Sequence, residues 1–137
     1  MDQFLKWIIC KQLSPNESRP ILRGIFHITY VRNSGIVFGL RAGESFAFTI
    51  LLIAISLGLI IFTLVYALGK PYFPWKWGWV LGLIIAGVTG NLVDRLRWGY
   101  VVDFIDFRIW PVFNLADLTV LVAAIIFLSE IFRAKRI

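Results

Sequence analysis

The residues of this chain that could do chemistry are carboxylates set among apolar neighbours. Asn91-Leu92-Val93-Asp94 and Asn114-Leu115-Ala116-Asp117 repeat one tetrapeptide, Asn-Leu-x-Asp, and Asp103 lies between them in Tyr100-Val101-Val102-Asp103-Phe104. On a helix, residues three apart share a face, so each asparagine amide can hydrogen-bond and orient the carboxylate that follows it. Two aspartates brought together where the dielectric is low cannot both ionise easily, and one of them keeps a proton. Such a pair can act as general base toward water and as general acid toward a leaving group. The bland alternative is that these aspartates cap helices and pair with nearby bases. Asp117 near a helix start suits the helix dipole, and Asp94 is followed by Arg95 with Arg97 close by.

Other chemistries find few residues to use. His27 is the single histidine and falls in an alternating, strand-like run, which suits an interfacial side chain better than a catalytic triad. With one histidine and one cysteine a zinc site would need mostly carboxylate ligands, so neither a metal nor a cofactor is expected. A lone cysteine, Cys10, excludes an internal disulfide; Ile9 before it does not suit lipid attachment, and Cys10 reads as an apolar filler.

What must position the carboxylates is a set of membrane spans. Of 137 residues 59% are apolar and 16% aromatic, including six Trp, and the mean hydropathy is +0.81. That excess over an ordinary soluble domain has to face lipid, and Trp collects at membrane–water interfaces. Residues 46–68 carry no charge over 23 positions, long enough to cross a hydrocarbon core of roughly 30 Å. A second span is expected over 77–93, bounded by Lys76 and Asp94 and rich in Gly, which favours close helix packing. A third is expected over 115–132, with Asp117 at or just inside the interface. Residues 2–13 read as the tail of a helix whose first half is absent, with Asp2 and Lys6 on one face, and no cleavable signal peptide is visible.

The β-branched and aromatic stretches within 14–45 and 94–114 suggest short strands on one side of the membrane. The net charge of +6 is scattered between apolar runs and forms no stripe, so it points to anionic headgroups and away from nucleic acid. The loop Gly69–Lys76 and the tail Arg133–Ile137 hold the densest positive charge, which places them in the cytoplasm and the aspartates on the outer side.

Taken together, the blocks resemble a known family. Gly87-x-x-Gly90-Asn91-x-x-Asp94-Arg95, then Gly99-Tyr100-Val101-Val102-Asp103-Phe104, then Phe113-Asn114-x-Ala116-Asp117 are similar to the lipoprotein signal peptidases, signal peptidase II of bacteria. Asp2-Gln3-x-x-Lys6 and Tyr30-Val31-x-Asn33-x-Gly35-x-x-Phe38-Gly39 resemble that family's first two motifs, in the family's order.

The resemblance implies an aspartic endopeptidase of the bacterial inner membrane that cuts the signal peptide from a prolipoprotein just before a diacylglyceryl-modified cysteine. It implies Asp103 and Asp117 as the catalytic pair. Asn33, Asn91, Arg95 and Asn114 fall on the pocket positions, Asp2 on the first-helix aspartate, and Asp94 on a supporting one. The implied fold is a membrane all-α bundle with a small β-rich periplasmic cradle, a single domain over residues 1–137, with four transmembrane helices of which the first is truncated here. The implied partners are a lipid-modified prolipoprotein and membrane lipids, with no nucleic acid, and the protein is expected to be a monomer. Departures from the family pattern are the short first helix, Val37 in place of a small residue, and a short connection from Asp103 to Asp117. Two readings compete: a catalytically inactive family member, and a small transporter or binder that handles protons or cations through its aspartates.

Overall fold

Charge-free apolar runs become helices and the β-branched stretches become strands, in the order α1 (Asp2–Gln12), β1 (Ser18–Leu22), β2 (Phe26–Asn33), α2 (Phe46–Leu68), α3 (Trp75–Trp98), β3 (Val101–Asp106) and α4 (Leu115–Ala134). These are the elements of a computed structural model, which describes residues 1–35, 46–69 and 75–134. Val37, Phe38 and Gly39 of the second motif lie outside the described residues, as do parts of the two basic segments assigned to the cytoplasm.

Helix α2 covers the expected 46–68 and is apolar all round, with Leu57, Leu59 and Val65 exposed on different faces. Its few hydroxyls are satisfied within the helix, Ser56 Oγ donating to the Leu52 carbonyl at 2.8 Å and Thr63 Oγ1 to that of Leu59 at 2.7 Å. A helix of this kind needs an apolar solvent. Among the described residues, segments of α2 (Thr49–Tyr66) and α3 (Trp77–Trp98) are long and apolar enough to cross a membrane; the apolar part of α4, Leu115–Ser129, is shorter.

The expected end of the second span at residue 93 is corrected: α3 runs on to Trp98. Charge at Asp94 does not stop it, because that carboxylate is fully buried against partners from other elements. The stop comes at Gly99, which takes φ +76 and donates its N–H to the Arg95 carbonyl at 3.0 Å. A left-handed residue just past the last turn is what ends a helix with its carbonyls satisfied. Helices α3 and α4 pack so closely at Gly87 that an added Cβ would collide with Thr119 Oγ1 and the Ala116 carbonyl.

The strands form one antiparallel sheet in the order β1-β2-β3. Alternation splits β3 between two tasks. Val102 and Phe104 join Ile9, Leu13 and Tyr30 in a buried apolar cluster, with Cys10 half-buried beside it as an apolar filler. Asp103 points to the other face, because successive strand side chains alternate. On α1 the residues Asp2, Lys6, Ile9 and Leu13 fall at helical spacing on one stripe. Its apolar end meets the sheet and its charged end meets α3 and α4. After β3 the chain loops out and returns at Phe113, which bridges to Ile105 and so delivers Asn114 to the start of α4.

Candidate active site

Asp103 is 1% exposed. Its Oδ1 accepts from Asn114 Nδ2 at 2.7 Å and its Oδ2 from Asn33 Nδ2 at 2.8 Å. Asn33 reaches it diagonally across the β2–β3 pair, where Val31 is the direct partner of Asp103 and Val101 that of Asn33.

Asp117 is half-buried at the first turn of α4. Its Oδ2 accepts the Asn114 backbone N–H at 3.2 Å, while the Asp117 N–H donates to Asn114 Oδ1 at 3.0 Å. This reciprocal arrangement is a capping box, so the bland reading of Asp117 is true as local structure. Its second oxygen is free of that duty: Oδ1 accepts from Asn91 Nδ2 at 2.7 Å, across from α3. Asn91 therefore serves Asp117, where the tetrapeptide spacing suggested Asp94.

Asp94 serves the scaffold. Its Oδ1 accepts from Gln3 Nε2 at 2.6 Å, and its Oδ2 accepts from the Val102 backbone N–H at 3.1 Å and sits 2.7 Å from Lys6 Nζ. One side chain thus ties α1, α3 and the residue preceding Asp103. Asp2 does the same for α4, its Oδ1 accepting the Ala116 N–H at 3.0 Å while Oδ2 lies 2.9 Å from Lys6 Nζ. That last contact is an ion pair without hydrogen-bond alignment, since Oδ2 has no aligned donor.

Lys6, fully buried, and Gln3 are the residues that reasoning from sequence left out of the site. The signal was present: Lys6 stands four residues after Asp2 on a stripe that continues as Ile9 and Leu13, so it had to face the interior. Its Nζ also donates to Asn91 Oδ1 at 3.1 Å. An ammonium has no acceptor, so it fixes which way the Asn91 amide points. Asn91 Oδ1 turns to Lys6 and to Asn114 Nδ2 at 3.0 Å, leaving Nδ2 to face Asp117.

Asp2, Asn33, Asn91, Asp94, Asp103, Asn114 and Asp117 are thereby joined in one hydrogen-bonded network through Lys6. Arg95 touches it only at the Asn91 carbonyl, 3.5 Å away. Neither Asp103 nor Asp117 has an ion-pair partner among the described residues. Burial pushes the Asp103 carboxyl up to about 7. The Asn33 amide opposes the shift, the negative charge of Asp117 adds to it, and Asn114 and the Lys6 charge oppose it again.

Beside Asp117 lies a cavity of about 470 Å³ lined by Asn91, Arg95 and Asp117 at its polar end. Val88, Val120, Leu121 and Ala124 line the remainder, with Ser56 from α2. Residues 117, 120, 121 and 124 form one face of α4, so a groove with apolar walls descends along that helix from the carboxylate. His27 is half-buried in β2, with Nδ1 3.1 Å from Ser18 Oγ, and takes no part in this network.

The model of the family described as Signal peptidase (SPase) II matches residues 1–133. A lipoprotein signal peptidase of Halothermothrix orenii is 39% identical over 100% of this chain and 91% of its own length. One from Moorella thermoacetica is 44% identical over 92% of this chain and 81% of its own. A bacterial membrane enzyme solved by the in meso method at 2.3 Å superposes with a TM-score of 0.86 at 26% identity, covering 98% of this chain and 82% of that one.

Proposed function

The chain belongs to the signal peptidase II family, and from that premise we propose that it is an aspartic endopeptidase using Asp103 and Asp117 to remove signal peptides from lipid-modified prolipoproteins. The observation that carries the reading is two carboxylates held by one residue, Asn114, whose side-chain amide donates to Asp103 and whose backbone N–H donates to Asp117, with no ion-pair partner for either among the described residues. Burial with a negative neighbour keeps a proton on Asp103 near neutral pH. Asp117, half-buried beside the cavity, acts as the base.

In the proposed cycle Asp117 takes a proton from water as the water oxygen attacks the scissile carbonyl carbon. Asp103 gives its proton to the carbonyl oxygen, forming a neutral tetrahedral intermediate. Collapse returns that proton to Asp103, while Asp117 protonates the departing amide nitrogen, which belongs to the lipidated cysteine. Arg95 and the amides of Asn33 and Asn91 hold the extended backbone and the developing oxyanion. The signal peptide lies along the groove between α3 and α4, whose apolar walls suit an apolar segment arriving from the bilayer.

The single domain of residues 1–137 sets α2, α3 and α4 across the membrane with the shorter α1 packed beside them. The protein acts as a monomer in the bacterial inner membrane, its site at the outer face and its basic segments in the cytoplasm. The 20 residues of α4 rise about 30 Å, which matches a hydrocarbon core.

The test is cleavage of a diacylglyceryl-modified prolipoprotein by the purified chain in vesicles. Asp103→Asn and Asp117→Asn should each abolish processing while leaving the protein folded. Wild-type cleavage by either variant would remove that residue from the chemistry.

A further inference from the structure

The sheet carries an exposed apolar surface that the peptidase chemistry does not use. At the end of the sheet remote from α3, the β1–β2 hairpin and the loop after β3 come together, because His27 pairs with Asp106. Phe26 and Phe107 join the two tips, ring centroids 5.2 Å apart. Around them Leu22, Ile25, Ile109 and Trp110 stand open, Ile109 at 93%, Trp110 at 70% and Ile25 at 63% exposure. These residues lie beyond the spans, yet they have the surface chemistry of the lipid-facing helices.

Each tip also carries a base inside its apolar run: Leu22-Arg23-Gly24-Ile25 and Phe107-Arg108-Ile109-Trp110. Arg23 has no acidic partner among the described residues. Arg108 is held in the left-handed region, φ 65, by its N–H donating to Asp106 Oδ1 at 2.8 Å, and its guanidinium pairs with Asp106 Oδ2 at 3.2 Å, so Arg23 is the base left for an outside anion. A non-glycine residue kept there costs conformational energy, and here the turn throws Ile109 and Trp110 outward. Apolar and aromatic side chains interleaved with arginines are the pattern of a segment that enters the interfacial zone of an anionic bilayer.

We propose that these two tips form one membrane-anchoring surface, with Ile25, Ile109 and Trp110 inserted at the lipid interface and Arg23 on anionic headgroups. The bilayer that holds the helices is the occupant, reached by the sheet at its far end. Six residues of β3 span roughly 20 Å, so the anchor holds the sheet at a second point away from α3. A sheet tied down at both ends keeps Asp103, on β3, at a set height above the membrane.

The test uses the full chain in vesicles of phosphatidylcholine with and without phosphatidylglycerol. Nitroxide labels are placed by Ile25→Cys, Ile109→Cys and, at the other end of the hairpin, Glu17→Cys, all in a Cys10→Ser background. Labels at 25 and 109 should be relaxed more by oxygen than by a water-soluble nickel chelate, and the label at 17 the reverse, with deeper immersion when phosphatidylglycerol is present. Equal chelate exposure at 109 and 17 would overturn the proposal, as would a depth indifferent to anionic lipid. A label at 109 shielded from both reagents would point to a second copy or another protein and overturn it as well. If the Cys10→Ser background does not fold, brominated lipids supply the reading in the native chain. They should quench a tryptophan signal that Trp110→Phe removes, and no loss of quenching in that variant would sink the idea.

Discussion

Asp2 and Asp94 lie at the same end of the molecule as Asp103 and Asp117, yet the two pairs are balanced differently. Lys6 sits between Asp2 and Asp94, 2.9 and 2.7 Å from their oxygens, and their remaining acceptors are filled by Gln3 and by backbone N–H groups of α4 and β3. Among the described residues, Asp103 and Asp117 receive hydrogen bonds only from side-chain amides and a backbone N–H. A buried carboxylate matched by a cation stays charged and holds elements together; one matched by neutral donors is left to share a proton with its neighbour. Asn91 is the seam, since Lys6 orients its amide and the amide then faces Asp117. The first pair builds the site and the second pair is available for chemistry.

The sharpest way to break this contrast is to remove one carboxylate from each pair. Asp103→Asn or Asp117→Asn should lower kcat on the order of 10²–10⁴-fold, as loss of a general acid or base does, with no loss of thermal stability. Asp94→Asn should instead lower the unfolding temperature, with the residual folded enzyme retaining measurable turnover.

Next in size is removal of the shared cation. Lys6→Met leaves two buried carboxylates uncompensated and should destabilise the protein by about 3–5 kcal/mol, measured by thermal or denaturant unfolding in detergent. Adding Asp94→Asn to that variant should recover part of the loss, and adding Asp103→Asn should recover less. Equal recovery from both would erase the distinction between the pairs.

The pH profile gives a smaller and more specific signature. The Asp103 carboxyl titrates near about 7, above its ordinary 3.8. Activity should fall as pH rises through that value, because the acid form is lost. The same group contributes stability below 3.8 that is lost as pH rises through about 7, since the folded state binds the extra proton. Unfolding of Asp103→Asn should therefore improve relative to wild type across that window. The smallest effect is expected from Asn33→Ala. Removing a donor that favours the charged carboxylate moves the alkaline limb of the activity profile upward, whereas a limb set by another group would stay in place.

Much of this architecture was legible beforehand. The limits of α2 could be read because 23 uncharged residues permit one outcome in lipid. The strands around residues 26–33 and 101–106 announced themselves by β-branched and aromatic alternation. The end of α3 was misplaced because Asp94, Arg95 and Arg97 look like the start of a polar loop, and only partners on α1 and β3 make Asp94 acceptable inside a helix. Lys6 escaped notice for a related reason: an i,i+4 pair with Asp2 reads as a surface contact until α3 is seen to cover it.

The sequence by itself determined that the chain is built for a membrane, which carboxylates stand among apolar neighbours, and which family it resembles. Those properties are local, set by runs of hydropathy and by short motifs. Which asparagine faces which aspartate, which carboxylates meet a cation, and which carboxyl is buried deepest were decided by tertiary structure. Burial and charge pairing depend on residues some 85 to 114 positions apart, such as Lys6 with Asn91 and Asp2 with Ala116, and no local spacing encodes those distances.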